Sequence, residues 1–248
     1  MTKIMAFFSI SFIYFTGDYM KKIIAAVFCS CIALGLLFRP QLVEMKDSME
    51  TKLFHPLSGV RIVLDPGHGG KDDGARFEDA KEQTINLEIA KQTKAMLEEA
   101  GAKVTLTRDG AYDLASDGVK NRKRDDMKKR VNLIQDKQID LFISIHLNAY
   151  PSPAVRGTQV FFRNGDQAGE KLANMIQNHF KEITKAKMVP KAGDYYILNE
   201  TDKLGVLVEC GFLSNPIDRK NLLQKDYQKK VANVLYVSIR EYLQILDQ

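Results

Sequence analysis

Short apolar runs alternate with amphipathic stretches along the chain from Val60 onward. The run Val60–Leu64 is rich in β-branched residues and ends at Asp65-Pro66-Gly67, a pattern that predicts a buried strand followed by a sharp loop. Runs of the same kind predict further strands. They are Lys103–Thr107, Ile139–Ile145, Thr158–Phe162, Tyr195–Leu198 and Val206–Val208.

Apolar residues at helical spacing predict helices between these strands. The first helix contains Ile85, Ile89 and Leu97, and Gly101 follows it, where a helix end favours glycine. Asn215-Pro216 is typical of a helix cap followed by a first-turn proline. The remaining helices are marked by Met127, Val131 and Ile134, by Leu172, Ile176 and Phe180, and by the stretch Tyr227–Leu246. Strands that alternate with helices predict an α/β fold: a single domain, residues 59–248, with a mostly parallel, twisted sheet flanked by helices on both faces.

The amino-terminal part of the chain has a different character. Lys21 and Lys22 precede an uncharged run, Ile23–Phe38, which is near the lower limit for crossing a bilayer and near the upper limit for a signal-peptide core. Residues 20–40 are therefore predicted to be a signal peptide or a membrane anchor, and both alternatives stay open. Residues 1–19 are predicted to be an upstream extension and residues 41–58 a linker. The paired lysines predict that the rest of the chain lies outside the cytoplasmic membrane, either anchored or secreted.

Composition narrows the class of protein. With 45% hydrophobic and 27% charged residues, the 248-residue chain is able to bury a core. The net charge of +5 comes from 36 basic and 31 acidic residues, a balance too even to indicate a nucleic-acid partner. Of the three cysteines, Cys29 and Cys31 lie in the hydrophobic run, so Cys210 has no internal disulfide partner in the exported part. We expect it to be a semi-buried thiol.

Polar residues of metal-ligand or acid–base type follow three of the predicted strands. His68 follows the first strand, His146 ends the strand Ile139–Ile145, and Glu209 follows Val206–Val208. Because ligands bind at the carboxyl ends of the strands in open α/β sheets, we expect these side chains to meet at one sheet edge. Glu82 begins the first helix, and the glycine-rich loop after His68 can return it to the same edge.

Two imidazoles and a carboxylate form a standard ligand set for one catalytic zinc ion, with the fourth position left to water. His68, Glu82 and His146 are the predicted ligands, and Glu209 is the spare carboxylate that such a site needs as general base. Singly, each histidine is more often a hydrogen-bonded loop residue and Glu82 a first-turn helix acid. The combination carries the prediction. The HExxH helix motif of ordinary zincins does not occur.

Other polar features are predicted to have no chemical role. His55 and His179 have no partner pattern and are expected at the surface. The basic run Lys120–Arg130 is interrupted by acidic residues and keeps apolar residues at helical spacing, which favours a solvated helix face over an anion-binding patch.

The motifs around these residues resemble the zinc-dependent N-acetylmuramoyl-L-alanine amidases of bacterial cell-wall metabolism. The resemblance covers about Val60 to Leu243 and rests on DPGHGG, Thr107-Arg108, SIHLNA and VECGFLSN in that order. It implies zinc ligation by His68, Glu82 and His146 and a catalytic role for Glu209. It also implies hydrolysis of the amide between N-acetylmuramic acid and L-alanine in peptidoglycan.

The stretch Thr107–Ile134 and the short amino-terminal hydrophobic segment resemble the germination-specific branch of that family, found in endospore formers. That resemblance implies action in the spore cortex, in making the muramic-δ-lactam needed for germination, and a location at the forespore or spore envelope. The implied partners are peptidoglycan as substrate, the membrane through the amino-terminal segment, and an accessory protein at the spore envelope.

Two other functions compete with this one. Another zinc hydrolase of the wall, such as a peptidase or a sugar deacetylase, would use the same metal chemistry. A catalytically inactive muropeptide-binding regulator would be expected to lack a ligand or the general base, and none is missing from this sequence.

Overall fold

The computed structural model describes residues 17–30, 34, 37–39, 41, 43–46, 49–50, 55–184 and 188–246. The chain divides into two compact units, with the boundary between Leu53 and Phe54. Residues 17–30 of the first unit are helical, and part of the run Ile23–Phe38 lies outside the described residues. No helix among the described residues combines the length and the apolar character needed to cross a membrane. The predicted boundaries at residues 19, 40 and 58 stay predictions.

The second unit contains a six-stranded sheet in the order β4-β1-β5-β8-β6-β7. All neighbouring strands are parallel except β6 and β8, which confirms the mostly parallel sheet. A separate hairpin is formed by β2 and β3. The strands are β1 Arg61–Pro66, β2 Arg76–Phe77, β3 Ala80–Lys81, β4 Lys103–Leu106, β5 Leu141–Asn148, β6 Gln159–Phe162, β7 Lys191–Ala192 and β8 Leu204–Phe212.

Helices cover both faces of this sheet, as predicted. They are α1 Glu82–Glu99, α2 Arg122–Ile134, α3 Gln167–Ile183, α4 Tyr196–Asn199, α5 Pro216–Leu222 and α6 Lys225–Leu246. In β1, Ile62 and Leu64 join the apolar cluster under α1, α3 and α6, whereas Val63 joins the cluster under α2 and α4. This alternation follows from the period of two along a strand, so the sheet is buried on both faces.

The predicted strand Tyr195–Leu198 is wrong, because the segment forms the short helix α4. Ile197 and Leu198 are adjacent in sequence, and both are buried in the same apolar cluster. A strand would direct such neighbours to opposite faces of the sheet, whereas a helical turn lets both pack on one side. The backbone N–H groups of Leu198 and Asn199 both donate to the Tyr195 carbonyl, which fixes the turn.

The expectation of a surface residue is confirmed for His55 and is wrong for His179. His179 is half-buried between α3 and α6, where its Nδ1 lies 2.9 Å from Ser238 Oγ and its Nε2 lies 3.2 Å from Glu241 Oε2. Cys210 is fully buried, and burial raises the pKa of its thiol, so this cysteine is a packing residue.

Candidate metal centre

Three predicted ligands converge at the carboxyl edge of the sheet. His68 lies in the loop after β1, Glu82 is the first residue of α1, and His146 lies near the end of β5. Glu82 Oε1 is 3.2 Å from His68 Nε2 and 3.0 Å from His146 Nδ1. One potential ligand atom from each residue lies within 4.8 Å of the others, so the three side chains could hold a metal ion.

Glu82 is held as a carboxylate in a fixed orientation. Its Oε2 accepts a hydrogen bond of 2.7 Å from the Ala75 N–H, and its Oε1 accepts one of 2.9 Å from the Leu147 N–H. Burial alone would raise the pKa of Glu82, but the hydrogen bonds and charges of His146 and His68 outweigh burial and hold that pKa well below its usual range. Glu82 therefore stays ionised, as a metal ligand must be.

His68 is oriented by a second carboxylate and by its backbone. Asp72 Oδ1 lies 3.0 Å from His68 Nδ1, so Nε2 is the nitrogen that faces Glu82. Such a carboxylate–histidine contact fixes the ring of a metal ligand. Burial lowers the pKa of His68, but Glu82 and Asp72 outweigh it and raise the pKa. The backbone φ of His68 is 63°, in the left-handed region that side-chain-bearing residues rarely adopt.

Two glycines let the backbone close around these side chains. A Cβ atom on Gly67 would lie 2.2–2.6 Å from atoms of the His146 ring. A Cβ atom on Gly74, which has φ of +67°, would lie 2.5 Å from Glu82 Oε2 and 2.7 Å from His68 Cδ2. Only glycine fits at these two points, which explains why glycines stand on both sides of His68 in the sequence.

Glu209 stands beside this cluster without contributing a ligand atom to it. It lies on β8 in register with His146 on β5 and is 7% exposed. Its Oε2 is buried and has no hydrogen-bond partner among the described residues. Burial, reinforced by the charge of Glu82, raises the pKa of Glu209 to about 7 against the opposing charges of His146 and His68. Near neutral pH this carboxyl group is able both to accept and to release a proton.

All four residues line one cavity of about 360 Å³. Tyr195, Tyr196 and Ile197 of the α4 region form part of its wall, and Lys123 and Met127 of α2 form another part. The segment Tyr195–Leu198, which the sequence predicted to be a strand, therefore forms part of the cavity wall through the helix α4. Burial and the charge of Glu209 raise the pKa of the Tyr195 hydroxyl to about 12, so Tyr195 interacts electrostatically with the site.

Sequence reasoning missed a buried ionic network beneath the site. Asp65, Asp126 and Arg130 form ion pairs there, and Arg108 lies next to them. The predicted solvated face of Lys120–Arg130 is therefore wrong at Asp126 and Arg130, which are both buried. The sequence does indicate the burial of Arg130, because this residue lies next to Val131 and one turn before Ile134, on the apolar side of α2.

The chain is similar to solved amidase structures over this whole region. The CwlD amidase from Clostridioides difficile, solved in complex with the GerS lipoprotein, matches with a TM-score of 0.72 and 33% identity and covers 75% of this chain and 99% of that one. The catalytic domain of CwlV, an N-acetylmuramoyl-L-alanine amidase from Bacillus (Paenibacillus) polymyxa var. colistinus, matches with a TM-score of 0.66 and 30% identity and covers 75% and 98%.

Sequence comparison gives the same result. The germination-specific N-acetylmuramoyl-L-alanine amidase of Bacillus subtilis is 42% identical over 193 residues, which are 75% of this chain and 81% of that protein. LytC, an N-acetylmuramoyl-L-alanine amidase of the same organism, is 32% identical over 198 residues, which are 77% of this chain and 37% of that protein. The family model described as N-acetylmuramoyl-L-alanine amidase matches residues 62–241. The resemblance seen in the sequence is thus confirmed, and the chain belongs to the N-acetylmuramoyl-L-alanine amidase family.

Proposed function

We propose that this amidase is a zinc enzyme in which His68, Glu82 and His146 hold one zinc ion and Glu209 is the catalytic general base. One observation carries the proposal: potential ligand atoms of the three residues lie within 4.8 Å of one another, in a cavity that is also lined by Glu209. The Oε2 atom of Glu209 has no hydrogen-bond partner in the part of the chain that the structure describes.

The residues present fit a zinc ion. Two imidazoles and one carboxylate are the ligand types of catalytic zinc sites, and Glu82 is kept ionised. Glu209 Oε2 is a buried acceptor to which none of the described residues donates a hydrogen bond, which is costly unless water or substrate occupies the cavity. When bound, zinc supplies Lewis-acid polarisation of the scissile carbonyl and lowers the pKa of water towards about 7.

The side chains divide the remaining work. Glu82 is fixed by the N–H groups of Ala75 and Leu147, and Asp72 fixes the ring of His68, so the ligands are oriented before the metal enters. Glu209 takes a proton from the attacking water at its carboxylate and then donates it to the leaving nitrogen of L-alanine. Burial raises the pKa of Glu209, and a raised pKa suits a group that first accepts a proton and then releases it.

We also propose a spore-cortex role for the cleavage. The support is the 42% identity to a relative that is named germination-specific. Removing the peptide frees the lactyl carboxylate of muramic acid, and a separate deacetylase then exposes the sugar amine for closure of the muramic-δ-lactam ring. This chain would carry out only the first step.

The same role sets a location and partners. We propose that the catalytic unit acts outside the cytoplasmic membrane at the forespore envelope, with the amino-terminal segment as membrane anchor or signal peptide. We further propose an accessory protein there, by similarity to the CwlD amidase that was solved with the GerS lipoprotein.

The metal content of purified full-length protein tests the ligand assignment. We expect one zinc per chain in the parent and a sharp loss of zinc in His146→Ala, because two ligands bind more weakly than three. His55→Ala, which removes an exposed histidine outside the cavity, is the matched control and should keep its zinc. If His146→Ala retains zinc as well as the control does, the assignment is wrong.

A further inference from the structure

Two fully buried arginines lie directly beneath the loop that carries His68. Arg108 follows β4, Arg130 lies in α2, and each is 1% exposed. Burying a guanidinium group is costly unless its N–H donors are all satisfied. The partners that satisfy them show what the two side chains do.

The two guanidinium groups hold three consecutive backbone carbonyls. Arg108 Nε and Arg130 Nη1 each donate to the Pro66 carbonyl at 2.9 Å. Arg108 Nη2 donates to the Gly67 carbonyl at 2.8 Å, and Arg130 Nη2 donates to the His68 carbonyl at 2.5 Å. The carbonyls of residues 66, 67 and 68 are thereby fixed across the point where His68 takes its left-handed φ of 63°.

Arg108 also connects this loop to the helix that carries Glu82. The same Nη2 atom that donates to Gly67 donates to the Gln83 carbonyl at 2.8 Å. Gly67 directly precedes His68, and Gln83 directly follows Glu82. One nitrogen atom therefore ties together the neighbours of two predicted zinc ligands.

Arg130 extends the connection to the strand that carries His146. Its Nη1 donates to Asp65 Oδ1 at 2.7 Å, and Ser144 Oγ donates to Asp65 Oδ2 at 2.7 Å. Ser144 lies on β5 two residues before His146, on the same face of the strand. All three ligand-bearing segments thus join one buried network.

We infer that Arg108 and Arg130 are positioning residues for the metal centre: they hold the Pro66–His68 backbone in the conformation that presents His68 and fix it relative to Glu82 and His146. The inference rests on the proposed zinc function. A side-chain-bearing residue in the left-handed region relaxes unless its surroundings hold it. Without the guanidinium contacts, the loop would relax and the ligands would no longer be set for the metal.

Lysine cannot replace arginine in this role. The planar guanidinium presents five donors in a rigid fork, whereas the lysine ammonium has three donors on a single flexible nitrogen. Arg108→Lys keeps the positive charge but cannot serve the carbonyls of Pro66, Gly67 and Gln83 from the same positions. The effect of Arg108→Lys therefore reports the loss of the hydrogen-bond geometry, because the positive charge is unchanged.

The zinc affinity of the full chain, measured by competition with a chromophoric chelator, tests the inference. We expect Arg108→Lys and Arg130→Lys to bind zinc roughly 10- to 100-fold more weakly than the parent, the range seen when residues that orient metal ligands are changed. The visible absorption bands of the Co²⁺-loaded variants should also shift, because the ligand geometry changes. Ile134→Ala is the control, since it truncates a buried residue in α2, one turn from Arg130, without touching the loop.

The inference is supported if the arginine variants bind zinc more weakly than the parent. In the same experiment Ile134→Ala, although similarly destabilised, should keep the zinc affinity and the Co²⁺ spectrum of the parent. The inference would be overturned if the arginine variants bound zinc as tightly as the parent. It would also be overturned if zinc affinity fell in every variant, Ile134→Ala included, in proportion to the loss of thermal stability of the apo-protein. If the arginine variants do not fold, Ser144→Ala provides the same comparison: weaker zinc binding supports the inference and unchanged binding contradicts it. A parent chain that binds no zinc would instead overturn the proposed function.

Discussion

At the scale of single residues, the pKa values of two carboxyl groups that line the same cavity are shifted in opposite directions. Glu82 receives hydrogen bonds from two backbone N–H groups and faces two imidazoles, which keeps it ionised. Glu209 has a buried oxygen that accepts no hydrogen bond within the described ranges of the chain, and burial raises the pKa of its carboxyl group to about 7. Environments that push two pKa values apart separate a charged ligand from a proton-transfer group. These opposite shifts support the proposed roles, with Glu82 as a metal ligand and Glu209 as the general base.

A general base at Glu209 predicts an acidic limb in the pH profile of kcat/KM. Below its pKa the carboxyl group is protonated and cannot accept a proton from water, so activity falls as pH falls. Because the positive charge of zinc lowers this pKa, the limb should lie at or below about pH 7. The measurement is kcat/KM against pH, with zinc content determined at each point. A profile that stays flat until zinc is lost would contradict the role of Glu209.

The candidate site residues could be predicted from the sequence, but the contacts that hold them in place could not. His68, His146 and Glu209 follow apolar strands, which marks them without a structure. The position of Arg130 on the apolar side of α2 indicates its burial, but the contacts of Arg108 and Arg130 could not be predicted, because most of their partners are backbone carbonyls, which carry no residue-specific signal.

At the scale of elements, the site depends on the edge of the sheet at which β1, β5 and β8 end and α1 begins. The pairing of β5 with β8 places His146 beside Glu209, and the β2–β3 hairpin returns the chain so that α1 begins at Glu82. Strand and helix periodicity predicted β1, β5, β8 and α1, but the β2–β3 hairpin was not predicted, because its strands are only two residues long. The short helix α4 was missed because four residues are too few to distinguish a helical turn from a strand by periodicity.

The close approach of the His68 loop to β5 predicts that Gly67→Ala weakens zinc binding. The added Cβ would lie 2.2–2.6 Å from atoms of the His146 ring and must displace either the ring or the loop. The control is Gly118→Ala, which has φ of +74° but open space around the added Cβ. It should lose some stability and keep its zinc. Equal zinc contents in the two variants would show that the close approach does not matter.

The buried network predicts that Asp65→Asn destabilises the fold strongly. Removing the charge of Asp65 breaks one of the two buried ion pairs of Arg130 and leaves the pair with Asp126, and breaking a buried pair in this way costs about 3–5 kcal/mol in the free energy of unfolding. Urea unfolding measures it. Asp140→Asn, at an exposed side chain that accepts a hydrogen bond from the Arg61 N–H, is the control and should change the free energy by about 0.5 kcal/mol or less.

The pH dependence of stability has a definite sign for Asp65. Burial would raise its pKa, but Arg130 and the hydroxyls of Thr107 and Ser144 outweigh burial and lower it. The ionised form therefore stabilises the fold at pH above the unfolded value of about 3.9, and this stability is lost as pH falls through the lowered native pKa. The Asp65→Asn variant should lack that component of acid unfolding.

At the scale of the whole molecule, one catalytic unit is joined to a hydrophobic amino-terminal segment. The family model matches residues 62–241, which lie within the catalytic unit. The sequence favours an exported protein through Lys21, Lys22 and the uncharged run that follows them, and this prediction rests on the sequence pattern alone.

The proposed cortex role predicts a phenotype for a strain that carries Glu209→Gln. The substitution removes the general base and keeps the proposed zinc ligands, so the protein should be present and inactive. Its spores should contain peptide-bearing muramic acid where muramic-δ-lactam normally lies, and they should germinate poorly. Muropeptide analysis of the spore cortex measures this. Normal δ-lactam with a defect only in vegetative cell separation would indicate a housekeeping amidase instead.

Mass spectrometry of muropeptides tests the central claim most directly. Purified peptidoglycan fragments are incubated with the metal-stripped full chain, before and after zinc is restored, and with zinc-loaded Glu209→Gln. We predict that the zinc-loaded parent alone produces muramic acid with a free lactyl carboxylate together with peptides that begin at L-alanine. Cleavage within the peptide, loss of acetyl groups, or equal cleavage without zinc or with Glu209→Gln would contradict the account.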